Sequence, residues 1–369
     1  MQYAPTYTRR TQMPNPLSDI EAKTERGERI TPEDGLRLFA SDDLVTIGRM
    51  ANQIRERKNG NHAYYILNHH IDYSNICVLA CKFCAFAKRP GEDGGFFHDQ
   101  DYYLEKLSED LREGITEVHI VGGLHPTLPF SYYTDLIQGI KQLSQQIHVK
   151  AFTAVEIDFF ARLYKMPVTE TLEQLRAAGL DSMPGGGAEI FAPEVYDQIC
   201  KEKMGGERWL EIHRIAHQMK FKTNATMLYG HVEKPHHRID HMEQLRRLQD
   251  ETGGFLSFIP LAFNPENTEL AHLGWTSGQD DLKTLAISRI YLDNFDHIKS
   301  YWITSGLGIA QLGLSFGADD IHGTVREENI THMAGAKVPQ ILTVPDLKRL
   351  IAEAGREAHQ RDSLYNILN

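Results

Sequence analysis

The chain has 369 residues, 41% hydrophobic and 24% charged, with 39 Lys+Arg against 50 Asp+Glu for a formal net charge of −11. That composition is ordinary for a globular protein with a self-sufficient core and excludes a disordered or fibrous chain. The acidic balance speaks against duplex nucleic acid as a partner, no run of about 18 apolar residues supports a membrane span, and four cysteines are too few for a disulfide scaffold.

The first twenty residues are mixed and proline-broken, and they read as a loose arm without the apolar core of a secretory signal. Thr31-Pro32-Glu33-Asp34 then supplies a capping hydroxyl, a proline at the first helical position and an acid two residues later, which predicts a helix through Leu38. Leu44, Ile47 and Ile54 share a face over 42–58 and predict a second helix. After Asn59-Gly60-Asn61 the pattern alternates. Strands are expected at 63–71, 117–122, 149–155, 182–185, 222–229, 255–262, 298–304 and 318–321. Helices are expected between them at 102–113, 132–145, 170–178, 193–200, 208–219, 238–251 and 280–293. This rhythm predicts an α/β fold of the (β/α)8 TIM type, with an open doubly wound sheet as the alternative. Thr343-Val344-Pro345-Asp346 caps a tail helix expected to run to about Arg361. The economical division is an arm with helices over 1–60, a barrel over 61–325 and a C-terminal helical extension over 326–369.

The sharpest feature is Cys77-Val78-Leu79-Ala80-Cys81-Lys82-Phe83-Cys84, a C-x3-C-x2-C spacing directly after the first expected strand. In a barrel that loop lies on the catalytic face. Three thiolates this close can hold one corner of a cubane iron–sulfur cluster, which normally takes four cysteines. Cys200 is far along the chain on an expected helix and reads as a small buried hydrophobe, so one iron is left open to bind a substrate. A zinc site completed by His69 or His70 is the competing arrangement, although structural zinc usually shows two separated ligand pairs. Crowded cysteines of this kind suit metal chemistry in a reducing, cytoplasmic setting.

C-x3-C-x-aromatic-C in this place resembles the radical S-adenosylmethionine (SAM) superfamily. The resemblance implies that Cys77, Cys81 and Cys84 ligate a [4Fe–4S] cluster whose fourth iron chelates the amino and carboxylate groups of SAM. It implies that Gly122-Gly123 holds the SAM amino group, beside the aromatic Phe83 of the cysteine loop. Three further segments fall at expected strand ends. Ala151-Phe152-Thr153-Ala154-Val155-Glu156 offers the carboxylate of Glu156 for a ribose hydroxyl or a cation, and Met183 to Glu189 offers three glycines and the acid Glu189. Thr226 to Glu233 resembles the superfamily's G-x-I-x-G-x-x-E adenine motif, with Thr226 replacing the first glycine and Glu233 at its end. Ile259, within Phe258-Ile259-Pro260-Leu261, is expected to wall the adenine.

Candidates for the chemistry are His125, Tyr229, His231, Asp319 and Asp320, placed at expected strand ends where acids and imidazoles suit proton transfer or polar substrate contacts. Arg289 is a further cationic candidate. Together with Leu248 to Gly254, Ile259 to Phe263 and Phe316 to Asp320, these segments resemble the menaquinone and deazaflavin branch over about residues 30 to 360. The Thr226-Met227-Leu228 and Leu261-Ala262-Phe263 variants are most similar to the aminofutalosine synthase family. That likeness implies a transferase of menaquinone biosynthesis. It joins the 5′-deoxyadenosyl group to 3-[(1-carboxyvinyl)oxy]benzoate, moves the aryl group from oxygen to carbon, and releases a carboxylate carbon to give 6-amino-6-deoxyfutalosine. The alternatives are dehypoxanthine futalosine cyclase and the deazaflavin (FO) synthase type. The resemblance also implies a small carboxylated aromatic enol ether as substrate and an electron donor such as flavodoxin or ferredoxin, and it allows a homodimer.

Overall fold

A computed structural model describes residues 16–368. Its strands are, in chain order, β1 (His62–Ile66), β2 (Asn68–Asp72), β3 (Glu117–Val121), β4 (His148–Ala151) and β5 (Ser182–Met183). They continue as β6 (Lys222–Tyr229), β7 (Phe255–Ala262), β8 (His297–Ile298), β9 (Asp320–Gly323) and β10 (Glu357–Gln360). Strands β2 to β8 form a seven-stranded parallel sheet in sequence order, and a second parallel sheet has the order β10-β1-β9. Bridges at Lys299↔Asp320 and His69↔Arg326 join the two sheets on either side of β9, so the strands curl round a common axis. This is the α/β architecture expected of a TIM-type barrel, in which helices follow strands because parallel neighbours need a crossover.

Local chemistry moved several boundaries. The expected strand at 63–71 breaks at Leu67 into β1 and β2, one in each sheet. The expected strand at 149–155 stops at Ala151, because Thr153 and Glu156 form a capping box that starts a helix at Ala154–Leu163. That helix has no counterpart among the expected elements. The slot at 298–304 keeps only its first residue in β8 and ends in the short helix Trp302–Ser305. The tail helix is Val344–Glu353, and the chain then adds β10 beside β1 instead of remaining helical to Arg361.

The expected loose arm lies mostly outside the described residues. Within them, Ser18–Glu25 is a helix that buries Ile20 completely. The two capped or amphipathic helices foreseen before residue 60 are Pro32–Ala40 and Leu44–Asn59. Among the described residues no helix is long and apolar enough to cross a membrane.

Register decides which side chains face the barrel interior. His70 is paired with His119, and His119 with Lys150, so one layer of polar residues points to the same side. Met227 and Tyr229 alternate with Thr226 and Leu228 along β6 and pack outward against the helices.

Candidate active site

A cavity of about 330 Å3 lies inside the barrel, between the loops after the strands and the inward side chains below them. Cys77, Cys81 and Cys84 line its loop end, together with Phe83, Gly122, Gly123 and Glu156. Ile259 and Leu261 form an apolar wall from β7. Lys150, Asn224, Lys299 and His322 lie at the strand end.

The cysteine loop is held by its own backbone. Cys77 N–H donates to Lys88 O at 2.8 Å, Lys82 N–H to Ile199 O at 2.8 Å and Cys84 N–H to Cys81 O at 3.1 Å. All the cysteines are free thiols. Burial raises the Cys81 thiol well above its usual range and raises the Cys84 thiol as well. Leu79 N–H donates to Cys77 Sγ at 3.4 Å, and backbone N–H groups of Phe86 and Ala87 favour the Cys84 thiolate. Three thiols converging on one cavity, with N–H donors to sulfur, fit an iron–sulfur cluster, whose iron keeps buried sulfur as thiolate. Cys200 is buried but is absent from the cavity lining, in keeping with a hydrophobe's role.

The glycine pair has a packing requirement of its own. A Cβ on Gly123 would stand 2.4 Å from Ile76 O, and one on Gly122 would stand 2.8 Å from the Tyr73 ring. Gly123 N–H also donates to Ser74 O at 2.7 Å. Glycine therefore lets the end of β3 seat directly against the cysteine loop.

Glu156 ties the neighbouring strand ends together. Its carboxylate accepts from Thr153 N–H at 2.7 Å, Thr153 Oγ1 at 2.8 Å, Tyr73 OH at 2.9 Å and Gly122 N–H at 3.2 Å. Burial pushes the carboxyl up to about 7, against the pull of these donors. It lines the cavity from the first turn of a helix, not from a strand end.

Other expected site residues stand elsewhere. Glu189 is outside the cavity lining and pairs with Lys203, whose ammonium does line it and lies 5.3 Å from the Phe83 ring centre. Glu233 accepts from Gly230 N–H at 2.7 Å, His231 N–H at 2.8 Å and Arg238 Nε at 2.8 Å, so it organises its own loop. His231 is spent on Leu228 O at 3.0 Å and Val232 N–H at 2.8 Å. Tyr229 turns outward and donates to Asp281 at 2.9 Å. His125 accepts from the N–H groups of Thr127 and Leu128 at 3.3 Å each, and burial lowers its pKa.

The two aspartates are structural. Asp319 binds Arg289, His297 Nδ1 at 2.6 Å and Ile298 N–H at 2.8 Å, with no exposed side-chain surface. Asp320 binds Arg361 Nε at 2.7 Å and His322 N–H at 2.5 Å. Of the five catalytic candidates none lines the cavity; strand alternation or local hydrogen bonds turn each away.

The groups that do reach the interior were missed as site residues, although His70 was weighed as a zinc ligand. They include His119, Lys150 and Lys299. Their signal was polar residues at alternate positions of otherwise buried strands. Lys150 donates to Glu117 at 2.5 Å, and Ser363 Oγ donates to the same oxygen at 2.7 Å. Burial brings His119 down to about 3 and Lys299 to about 7. Asp72, buried near Glu328, is pushed up to about 8.

Three free thiols and a glycine pair lining one cavity inside an α/β fold define a class of enzyme, and the comparisons agree. Residues 71–245 match the model of the Radical SAM superfamily, and residues 252–369 match that of the CofH/MqnC C-terminal region. The chain is 49% identical to "Aminodeoxyfutalosine synthase" of Thermus thermophilus over 95% of each chain. It is 38% identical to "Cyclic dehypoxanthine futalosine synthase" of Streptomyces coelicolor over 95% of this chain and 89% of that one. In fold it matches the FeFe-hydrogenase maturase HydG from Carboxydothermus hydrogenoformans, with a TM-score of 0.74 at 15% identity, covering 95% of this chain and 80% of that one.

The chain belongs to the radical SAM superfamily and, within it, to the aminodeoxyfutalosine synthase family. Its cofactors are those of the superfamily, a [4Fe–4S] cluster and SAM.

Proposed function

We propose that this protein makes 6-amino-6-deoxyfutalosine from SAM and 3-[(1-carboxyvinyl)oxy]benzoate. The observation that carries the reading is one cavity lined by three free cysteines, a packing-required glycine pair, an apolar wall and a cationic floor. When bound at Cys77, Cys81 and Cys84, the cluster with SAM supplies the 5′-deoxyadenosyl radical.

The chain's own residues do the rest. Glu156, Thr153 and Gly122 fix the backbone beside that end of the cavity. Ile259, Leu261 and Val155 keep water and stray hydrogen donors from the reacting carbons. The retained ring carboxylate needs positive charge, and the floor supplies it. No thiol is required as a hydrogen donor, in keeping with Cys200 lying off the cavity.

The reading carries with it an external donor of the flavodoxin or ferredoxin kind, a cytoplasmic setting and room for a homodimer. Its organisation is an arm and helices over 1–60, a barrel over 61–325 and an extension over 326–369, the last supplying β10 and floor residues such as Arg361 and Ser363.

The test is anaerobic reconstitution with iron and sulfide, then dithionite, SAM and the enol ether, with products identified by mass spectrometry. The expected product carries the adenosyl group on the substrate skeleton. Formation of 5′-deoxyadenosine alone would move the assignment to the cyclase.

A further inference from the structure

The barrel floor carries Lys150, Lys299, Arg289 and Arg361 against three carboxylates, and these are engaged: Glu117 with Lys150 and Ser363, Asp320 with Arg361, and Asp319 with Arg289 and His297. Asp72 and Glu328 also line the cavity; Asp72 accepts from Asn329 N–H at 2.8 Å, and Glu328 is held by Thr331 N–H at 2.7 Å and His332 at 3.0 Å. Lys299 is different. Its residue is 1% exposed and lines the cavity, yet its ammonium has no hydrogen-bond or ion-pair partner among the described residues. A buried ammonium without a partner is costly unless an anion reaches it.

His322 adds a second unused donor beside it. Asn68 Oδ1 accepts from Val325 N–H at 3.0 Å, which turns the Asn68 amide nitrogen toward His70 Nε2 at 3.2 Å and His322 Nε2 at 3.5 Å. Both imidazoles are held neutral by burial, so each Nε2 accepts and the proton sits on Nδ1. His322 Nδ1 is buried with no partner among the described residues. The backbone that carries the ring is strained. His322 has φ +74°, a left-handed value unusual for a side-chain-bearing residue, and Asp320 holds its N–H at 2.5 Å. The Tyr301 ring packs edge-on 4.6 Å from the imidazole.

We propose that Lys299 Nζ and His322 Nδ1–H form the socket for the aryl carboxylate of the substrate, an inference that rests on the function proposed above. Polarity of the cavity fixes which carboxylate is meant. The cysteines and Gly122-Gly123 lie at the loop end, so the carbon that joins the adenosyl group sits there. The carboxylate lost in the reaction is attached to the neighbouring carbon. The one retained on the ring points to the closed end. From the layer of His119 to Gly122-Gly123, just past the end of β3, is three to four residues, roughly 10–13 Å of extended chain. Binding at the floor thus holds the ring fixed while the enol-ether end reacts. Burial brings Lys299 down to about 7, and an arriving carboxylate holds it charged.

The experiment uses the reconstituted holoenzyme with SAM and no reductant. Affinities are measured for the enol ether, for its analogue lacking the ring carboxylate, and for benzoate against benzamide. Wild type is expected to prefer each carboxylate. Lys299→Met is expected to bind the enol ether and benzoate about 10- to 100-fold more weakly while leaving the analogue and SAM unaffected. Its thermal stability is expected to be unchanged or higher, because an unpaired buried charge is removed. His322→Asn, which tolerates the left-handed backbone, is expected to lose part of the same preference. Equal carboxylate preference in wild type and both variants overturns the socket, while adduct formation by wild type still upholds the function. Wild type that binds neither enol ether nor benzoate overturns both.

Discussion

Arg289→Met separates a structural role for Asp319 from a chemical one. Arg289 is fully buried; it binds Asp319, donates from Nε to Gly317 O at 2.8 Å, and from Nη1 to Phe295 O at 3.2 Å and Asp296 O at 3.1 Å. The substitution leaves the Asp319 carboxylate buried with only His297 and one N–H, and strips three carbonyls of a donor. Breaking such a pair from one side costs about 3–5 kcal/mol. With roughly 2.1 cal/mol/K per residue over 369 residues, the unfolding entropy is about 0.8 kcal/mol/K, so Tm should fall by about 4–6 °C. Scanning fluorimetry on the anaerobic holoenzyme reads that shift, and turnover is measured well below Tm. SAM binding and turnover per folded molecule should stay near wild type. Adding Asp319→Leu should restore part of the loss, because the orphaned charge goes too. An unshifted Tm with abolished turnover would refute the reasoning and return Asp319 to the chemistry.

Gly123→Ala places a methyl 2.4 Å from Ile76 O, so the cysteine loop must move; iron and sulfide bound per chain should drop sharply while helical circular dichroism is kept. Cys77→Ser should lose cluster absorbance without unfolding, since Cys77 N–H and not its sulfur anchors the loop to Lys88. Acid should destabilise the fold. His119 and His241 are both brought down to about 3 by burial and stay neutral in the folded state, whereas the unfolded chain protonates them below about 6.5. Stability from each is full above that value and is lost as pH falls toward the folded pKa. Between pH 7.5 and 5.5 the loss is about 1.4 kcal/mol per histidine. Urea midpoints at the two pH values, compared between wild type and His241→Gln, measure it by difference, because buried carboxyls such as Glu156 and Asp72 gain stability over the same range; an identical pH dependence in both proteins would contradict neutral burial.

The barrel was legible because its signals are periodic and local. The capping boxes at Thr31 and Thr343, and the alternation of strand and helix slots, each correspond to an observed element. The cysteine loop was legible because its spacing carries the chemistry by itself. Sequence reasoning erred where a residue's direction depended on a pairing partner far along the chain. Asp319 and Asp320 resemble catalytic acids until Arg289 and Arg361 arrive from a helix and from the tail. His231 and Glu233 sit in a segment that resembles the superfamily's adenine motif, yet their polar atoms close on their own loop. Conversely, Lys299 and His322 follow or belong to very short strands, and only the closure of the ring places them at the cavity floor.

The measurement that tests the central claim most directly is the fate of the adenosyl carbon. SAM labelled with 13C at C5′ and enol ether labelled at its terminal vinyl carbon should give one product with a 13C–13C coupling, showing the new carbon–carbon bond. Recovery of the C5′ label in 5′-deoxyadenosine, with no coupled product, would contradict adenosyl transfer by this chain.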